Sequence, residues 1–287
     1  MEVIKSVETM QNRARQLRHE GITIGFVPTM GFLHEGHLSL IELAKANSDF
    51  VVMSIFVNPT QFGEGEDFKD YPRDFDRDRK LAQDHGVSLI FYPEADELYP
   101  EDYRTYVTVE DLSNKLCGAS RPGHFRGVTT IVTKLFNIVQ PDIAVFGRKD
   151  AQQAIILKRL VRDLHLPVKI LTAPIVREQD GLAMSSRNTY LSHDERQQAL
   201  ALNQSLQTAK KMVESGTRDS NIIIKEIRSQ WEDKPAISED YISVVDVQNL
   251  EPIAQINQPA LIAVAAYVGT TRLIDNIIVN ADGTDTL

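Results

Sequence analysis

Cysteine is nearly absent: Cys117 is the only one in 287 residues. That excludes an intramolecular disulfide and a cysteine-rich metal site, and Cys117 is expected to be a structural or surface thiol. Positive charge is also short, with 31 Lys and Arg against 40 Asp and Glu and a net charge of −9. A chain built to grip a phosphate backbone is normally basic, and no local basic patch compensates here, so nucleic acid is excluded as a major partner. Long apolar runs are missing too. No window approaches the ~20 uninterrupted apolar residues that span a bilayer. The start, Met1-Glu2-Val3-Ile4-Lys5-Ser6, has no apolar signal region behind a basic flank. The expectation is a soluble, cytoplasmic protein with no membrane partner.

What is present is ordinary for a globular chain: 42% apolar and 25% charged residues, 15 Gly and 12 Pro, which rules out wholesale disorder and collagen-like repetition. Short apolar runs at 22–27, 50–57, 87–92, 142–146 and 168–171 are rich in Val, Ile and Phe without clean alternation, as strands buried on both faces should be. Amphipathic stretches at 38–46, 74–85, 128–139 and 151–164 lie between them as expected helices. The pattern predicts an α/β fold: a Rossmann-like parallel-sheet, nucleotide-binding domain over residues 1–175. After Val176 the character changes. Residues 191–232 read as mostly helical, with Ser192 ahead of Asp194 and Glu195 as a helix start. β-prone runs at 241–247, 261–268 and 273–279 come next, so 176–287 is expected to be a smaller C-terminal α+β domain. The charge run 64–80 mixes both signs and reads as a solvated loop entering a helix, with a mobile lid as the alternative.

Three segments carry chemistry. In Pro28-Thr29-Met30-Gly31-Phe32-Leu33-His34-Glu35-Gly36-His37 two histidines stand three apart where a strand gives way to a helix. Backbone N–H groups at such a helix start favour an anion, and each imidazole can donate to a phosphate oxygen. A metal pair is the alternative, but no acid or third histidine stands at zincin-like spacing. The second segment, Phe146-Gly147-Arg148-Lys149-Asp150-Ala151-Gln152-Gln153, again joins a strand to a helix. There Lys149 can supply a point charge, Asp150 a cap or a ribose acceptor, and Gly147 room for close approach. The third, Gly181-Leu182-Ala183-Met184-Ser185-Ser186-Arg187-Asn188, offers two hydroxyls and a cation that suit a polyphosphate, or a structural turn.

The H-x-G-H string after the first strand, together with Met-Ser-Ser-Arg late in the domain, resembles the HIGH-type nucleotidyltransferase superfamily. The resemblance narrows with the ordered motifs Pro28-Thr29-Met30-Gly31, Val57-Asn58-Pro59-Thr60-Gln61-Phe62, Tyr71-Pro72-Arg73 and Arg121-Pro122-Gly123-His124-Phe125-Arg126-Gly127-Val128. With 146–153 and 181–190, these are similar to the pantothenate synthetases, in the same order.

That resemblance implies an AMP-forming ligase that joins (R)-pantoate to β-alanine at the expense of ATP, in pantothenate biosynthesis. It implies that Met30, Gly31, Phe32, Leu33, His34, Glu35, Gly36 and His37 line the ATP site, with His37 as proton donor and His34 beside it on the phosphates. Gly147, Arg148, Lys149, Asp150, Val176, Met184, Ser185, Ser186 and Arg187 complete that site, with Lys149 among the catalytic groups. Arginine stands at 148 where many relatives have glutamate. Gln61 and Gln153 bind pantoate, and Gln61 also meets β-alanine. Mg²⁺ travels with ATP; Asp76 and Asp78 lie in the run that could touch it, and neither is assigned. The resemblance also implies a homodimer and a C-terminal domain that closes over ATP. Two rival readings remain: another HIGH-type adenylyltransferase or tRNA-charging relative, and a nucleotide-binding regulatory module.

Overall fold

A computed structural model describes residues 1–280 of the chain; the end of the expected second domain, 281–287, lies outside the described residues. In chain order the first elements are β1 (Glu2–Ile4), α1 (Val7–His19), β2 (Ile24–Thr29), α2 (Glu35–Lys45), β3 (Phe50–Ile55), α3 (Phe75–Asp84) and β4 (Leu89–Phe91). Then come α4 (Ala95–Leu98), α5 (Cys117–Ser120), α6 (His124–Val139), β5 (Ile143–Gly147), α7 (Ala151–Asp163) and β6 (Lys169–Ala173). The remainder is α8 (His193–Glu214), α9 (Ser220–Ser229), β7 (Ile237–Asp246), β8 (Ala260–Val268) and β9 (Thr271–Val279).

The chain divides into two compact units. The first holds residues 1–114, 121–148 and 156–174; the second holds 175 onward together with 115–120 and 149–155. In the first unit the strands form one sheet in the order β1-β4-β3-β2-β5-β6. Every pairing in it is parallel. From β2 the chain builds outward to β3 and β4, then crosses back to lay β5 on the other side of β2. The strand order therefore reverses between β2 and β5, and in open parallel sheets ligands bind beyond the carboxyl ends of the strands at such a reversal. Pro28 is tolerated in this central strand because its pairing with β5 stops at Phe26; only the β3 side continues past it.

Sequence and structure agree on the strands to within their ends, but two helices start earlier than the apolar periodicity suggests. Helix α2 begins at Glu35 rather than 38, because His34 caps it. Helix α6 begins at His124 rather than 128, behind Gly123 with φ of 85°. Four elements have no counterpart in the sequence reading, among them the one-turn helices α4 and α5. Strand β1 is too short to show a period, and α1 is announced only by its Ser6 cap, whose side chain accepts from the Thr9 N–H.

In the second unit β7, β8 and β9 make an antiparallel sheet with β8 in the middle. A two-residue turn at Gly269-Thr270 joins β8 to β9, with Val268 paired to Thr271 and φ of 59° at Gly269, the positive φ that tight hairpins need. Helices α8 and α9 cover one face through Leu202, Leu206, Ile223 and Ile227 against Ile242 and Val264. Ser192 and Glu195 form a reciprocal capping box at the start of α8.

One close approach in the first unit brings a loop backbone directly onto a helix. The 3-10 turn Pro59–Gln61 lies against the start of α6, and a Cβ on Gly127 would collide with the Thr60 carbonyl. Backbone cannot yield as a flexible side-chain tip can. Gly127→Ala is therefore expected to cost about 1–3 kcal/mol of stability, read as a lower urea midpoint with an unchanged m-value.

Candidate active site

The segment from Met30 to His37 leaves the end of β2 at the strand-order reversal. Thr29 begins the turn: its hydroxyl donates to the Ser54 carbonyl at 2.9 Å and accepts from the Gly31 N–H at 3.2 Å. Gly31 and Phe32 both take positive φ, 85° and 51°. At Gly31 any side chain would be strained by that φ and would meet Asp78 Oδ2 and Ile55. Phe32 tolerates the conformation because its backbone is held. Its N–H donates to Asp78 Oδ2 at 2.6 Å and the Leu33 N–H to Asp78 Oδ1 at 2.7 Å. Arg77 completes the clamp, donating to the Leu33 carbonyl at 2.8 Å, with its guanidinium 5.1 Å from the centre of the Phe32 ring.

Asp78 is only 1% exposed. Burial pushes its carboxyl above the usual aspartate value, opposed by the Leu33 and Phe32 N–H groups and by Arg77. Its oxygens are committed to the backbone of the loop, so Asp78 is a support of the turn rather than a metal ligand. Leu33 is likewise a support residue. Its side chain is fully buried in the core with Val27, Leu38 and Ile41, and both its backbone groups are engaged.

His34 is the cap and His37 lies in the first turn, with ring centres 4.1 Å apart. The Gly36 N–H donates to His34 Nδ1 at 3.1 Å, and the His34 N–H donates to His37 Nδ1 at 3.3 Å. Both Nδ1 atoms act as acceptors, so in the neutral rings the proton sits on Nε2. The capping geometry thereby selects the tautomer that donates from the far edge of each ring. Glu35 between them is exposed; Met30, Gly36 and His37 are half-buried.

Gln61 is held on three sides. Its Oε1 accepts from Asn58 Nδ2 at 3.0 Å, and its Nε2 lies 3.3 Å from Met30 Sδ. Its carbonyl accepts from His124 Nδ1 at 2.8 Å. Asn58, 1% exposed, also donates to the Gly127 carbonyl at 3.2 Å and accepts from the Tyr99 hydroxyl at 3.0 Å. Burial pushes Tyr99 up to about 12, so its hydroxyl remains a donor. His124 must carry its proton on Nδ1 to serve Gln61, which leaves Nε2 to accept from Arg121 at 3.2 Å. Arg121 in turn grips Glu66 through two bonds of 2.7 and 2.5 Å. The run 64–80 is mostly exposed and enters helix α3, and the loop before that helix is held by packing. Phe62 packs on Phe68 and Tyr71, and Arg73 donates to the Phe68 and Tyr71 carbonyls.

β5 ends at Gly147, beside β2 in the sheet, and Arg148 comes next in the first unit. Further along the chain, Lys149, Asp150 and Gln153 belong to the second unit, with Lys149 and Gln153 half-buried and Asp150 exposed. Val176, Met184, Ser185, Ser186 and Arg187 lie in the same unit. Residues 176–184 form a small hairpin in which the Met184 N–H donates to the Val176 carbonyl at 3.0 Å, so these two expected residues are paired. Ser185 caps the adjoining 3-10 turn, Ser186–Tyr190, accepting from the Arg187 N–H at 3.2 Å. Cys117 is buried, with Sγ 3.1 Å from the Tyr241 hydroxyl. Arg77, Arg177 and Asp275, and the supporting roles of Asn58 and Asp78, escape sequence reasoning because each acts on residues far along the chain or on backbone atoms that no motif displays.

A parallel sheet whose reversal point carries a capped, histidine-bearing helix start is the architecture of a nucleotide-handling α/β enzyme. The sequence matches the family model described as pantoate-beta-alanine ligase over residues 2–278. It is 54% identical over 97% of its length to a pantothenate synthetase of Thermotoga petrophila, covering 99% of that protein. The fold matches the crystal structure of pantothenate synthetase from Thermus thermophilus with a TM-score of 0.91, at 43% identity over 96% of this chain and 99% of that one. It also matches a pantoate-beta-alanine ligase from Francisella tularensis complexed with β-γ ATP and β-alanine, with a TM-score of 0.81, at 33% identity and 97% coverage of both chains. The chain belongs to the pantoate–β-alanine ligase family and is an enzyme of pantothenate biosynthesis, joining pantoate to β-alanine. That decides against both rival readings of the sequence.

The Glu66–Arg121 pair makes the region's stability pH-dependent. Burial alone would raise the Glu66 carboxyl, but the Arg121 hydrogen bonds and charge outweigh it and hold the group below its ordinary 4.5. A carboxyl depressed in the folded state contributes stability above its unfolded value and loses it as pH falls through the folded one. Urea unfolding should therefore show Glu66→Gln less stable than the parent at neutral pH, with the gap closing as pH falls below the ordinary carboxyl value of 4.5. A constant gap across that range would contradict the pairing.

Proposed function

We propose that the ligation runs on ATP through pantoyl-adenylate. The carboxylate of (R)-pantoate attacks the α-phosphorus and releases diphosphate; the amine of β-alanine then attacks the acyl carbon and releases AMP, leaving the amide. A carboxylate is a poor acyl donor because oxide is a hopeless leaving group, whereas AMP leaves readily. Both steps are displacements in which charge grows on oxygen, so positioning and positive electrostatics carry the catalysis. No protein nucleophile is needed.

The observation that carries this reading is the pair of backbone N–H bonds to Nδ1 of His34 and of His37. With Nδ1 of each ring engaged by backbone N–H groups, Nε2–H is the donor for phosphate oxygens, and His37 is the proton donor. We assign ATP to the segment Met30, Gly31, Phe32, Leu33, His34, Glu35, Gly36 and His37, with Phe32 and Leu33 shaping the loop. Gly147, Arg148, Lys149, Asp150, Val176, Met184, Ser185, Ser186 and Arg187 serve the same nucleotide, Lys149 and Arg187 bringing positive charge to its phosphates. Gln61 and Gln153 take pantoate through their amides. The weak Met30 sulfur acceptor opposite Gln61 Nε2 is one that a pantoate oxygen readily replaces. Gln61 also meets β-alanine.

Mg²⁺ enters as the counter-ion of ATP. Among the described residues no group of three His, Cys, Asp or Glu could hold a metal, so triphosphate oxygens and water would supply most of its ligands. Among those residues no helix is long and apolar enough to cross a membrane. A cytoplasmic homodimer is the setting proposed for the reaction, on the family resemblance.

Pantoate-dependent exchange of diphosphate into ATP should proceed without β-alanine; exchange that requires β-alanine would contradict the adenylate. His37→Ala and Lys149→Ala should each lower kcat by about 10²–10³, the usual loss on removing one preorganised donor. Turnover close to the parent in both folded variants would remove these two residues from the site.

A further inference from the structure

Two adjacent polar residues on β9, Asp275 and Asn276, are almost completely buried, at 3% and 4% exposure. Adjacent residues of a strand point to opposite faces of the sheet, and these two reach different targets. Asp275 takes Arg177 in a bidentate pair, 2.6 Å to Nη1 and 3.0 Å to Nη2. Arg177 stands in the 176–184 hairpin, and its Nη1 also donates to the Gly181 carbonyl at 3.2 Å. The Asp275 carboxylate therefore fixes the hairpin that runs directly into Met184 and Ser185. Asn276 faces the other way and donates from Nδ2 to the Lys149 carbonyl at 2.9 Å. Its own N–H donates to Asp275 Oδ1 at 2.8 Å, which couples the pair.

A buried ion pair and a buried amide are poor devices for stability, since well-packed apolar residues of the same volume serve about as well. What they supply is direction. We infer that Asp275 and Asn276 are positioning residues for ATP, holding the Lys149 backbone from one face of β9 and the loop of Ser185, Ser186 and Arg187 from the other. This rests on the assignment of Lys149 and that loop to ATP, and it adds a reason why a C-terminal strand with no catalytic group of its own governs nucleotide affinity. Neither residue touches substrate; each acts through its neighbour.

The test is a double-mutant cycle on the full-length enzyme, following kcat/KM for ATP in pantoate-dependent exchange, the KM for β-alanine in the full reaction, and thermal melting. Asn276→Ala removes the hydrogen bond to the Lys149 carbonyl and should lower kcat/KM for ATP about three- to tenfold. The KM for β-alanine should not change. In a Lys149→Ala background the same substitution should have no further effect on ATP. Asp275→Asn should lower kcat/KM for ATP independently of Lys149. An unchanged kcat/KM for ATP in Asn276→Ala, or an effect of Asn276→Ala that persists in full without the Lys149 side chain, would overturn the inference. If Asn276→Ala does not fold, Asn276→Asp carries the cycle, because it keeps the volume and places an acceptor against the Lys149 carbonyl. If Lys149→Ala itself leaves ATP kinetics unchanged, the ATP assignment fails. In that case Asp275→Asn still decides whether β9 governs the nucleotide.

Discussion

A buried carboxylate that accepts two consecutive backbone N–H groups is the constraint on which the first unit's chemistry depends. Asp78 makes the turn after β2 possible: without its bonds, Phe32 and Leu33 would leave two donors without water or partner. The left-handed φ at Phe32 would also have nothing to offset it. Because the turn is fixed, His34 arrives at the cap position of α2, and because it caps the helix, both imidazoles turn Nδ1 inward. Backbone N–H groups thus engage Nδ1 of both rings.

The same logic recurs wherever a loop of either unit must be exact. Asn58 exhausts its amide on Gln61, Gly127, Thr60 and Tyr99, which holds the 3-10 turn to the start of α6. In the second unit Glu178 accepts from Asn188 and from Arg196, which ties the hairpin to the turn beyond it and to α8. Each of these side chains is polar and at least partly buried, and each satisfies backbone or side-chain groups of a segment distant in sequence. Burying such groups is costly unless every partner is in place, so the network tolerates few alternative loop conformations. Rigidity at the strand ends therefore comes from polar groups in places where apolar packing would have given comparable stability and less direction.

How much of this is legible in the sequence depends on the range of the interaction. The strands show themselves because a parallel sheet buried on both faces demands continuous apolar runs, as in β3 and β5. The histidine pair shows itself because a cap and the first helical turn are local in sequence. The early start of α2 does not, since periodicity begins only at the first buried residue, Leu38, whereas the cap lies before it. The clamp from Asp78 is hidden for a different reason: it acts from a charged run, on backbone atoms 45 and 46 residues away. A run that mixes both signs reads as solvated surface, and nothing in its composition marks the one aspartate that points inward.

The division of labour between chain regions reflects what acyl activation asks of a protein. A reaction that passes through an adenylate needs no nucleophile from the enzyme, so nothing requires a strained serine or an activated thiol. Cys117 can accordingly serve packing, buried beside Tyr241. What the reaction does need is donors that keep their direction while charge moves from carboxylate to phosphate to amide, since reorienting them in each step would return the energy that preorganisation saves. Imidazoles whose Nδ1 atoms are engaged by backbone N–H groups keep a fixed direction. The carbonyl of Lys149 is likewise tied to a strand. On the proposed assignment the acidic balance of the whole chain, net −9, is no obstacle to binding a polyanion, because local geometry rather than total charge sets the field that a bound group meets.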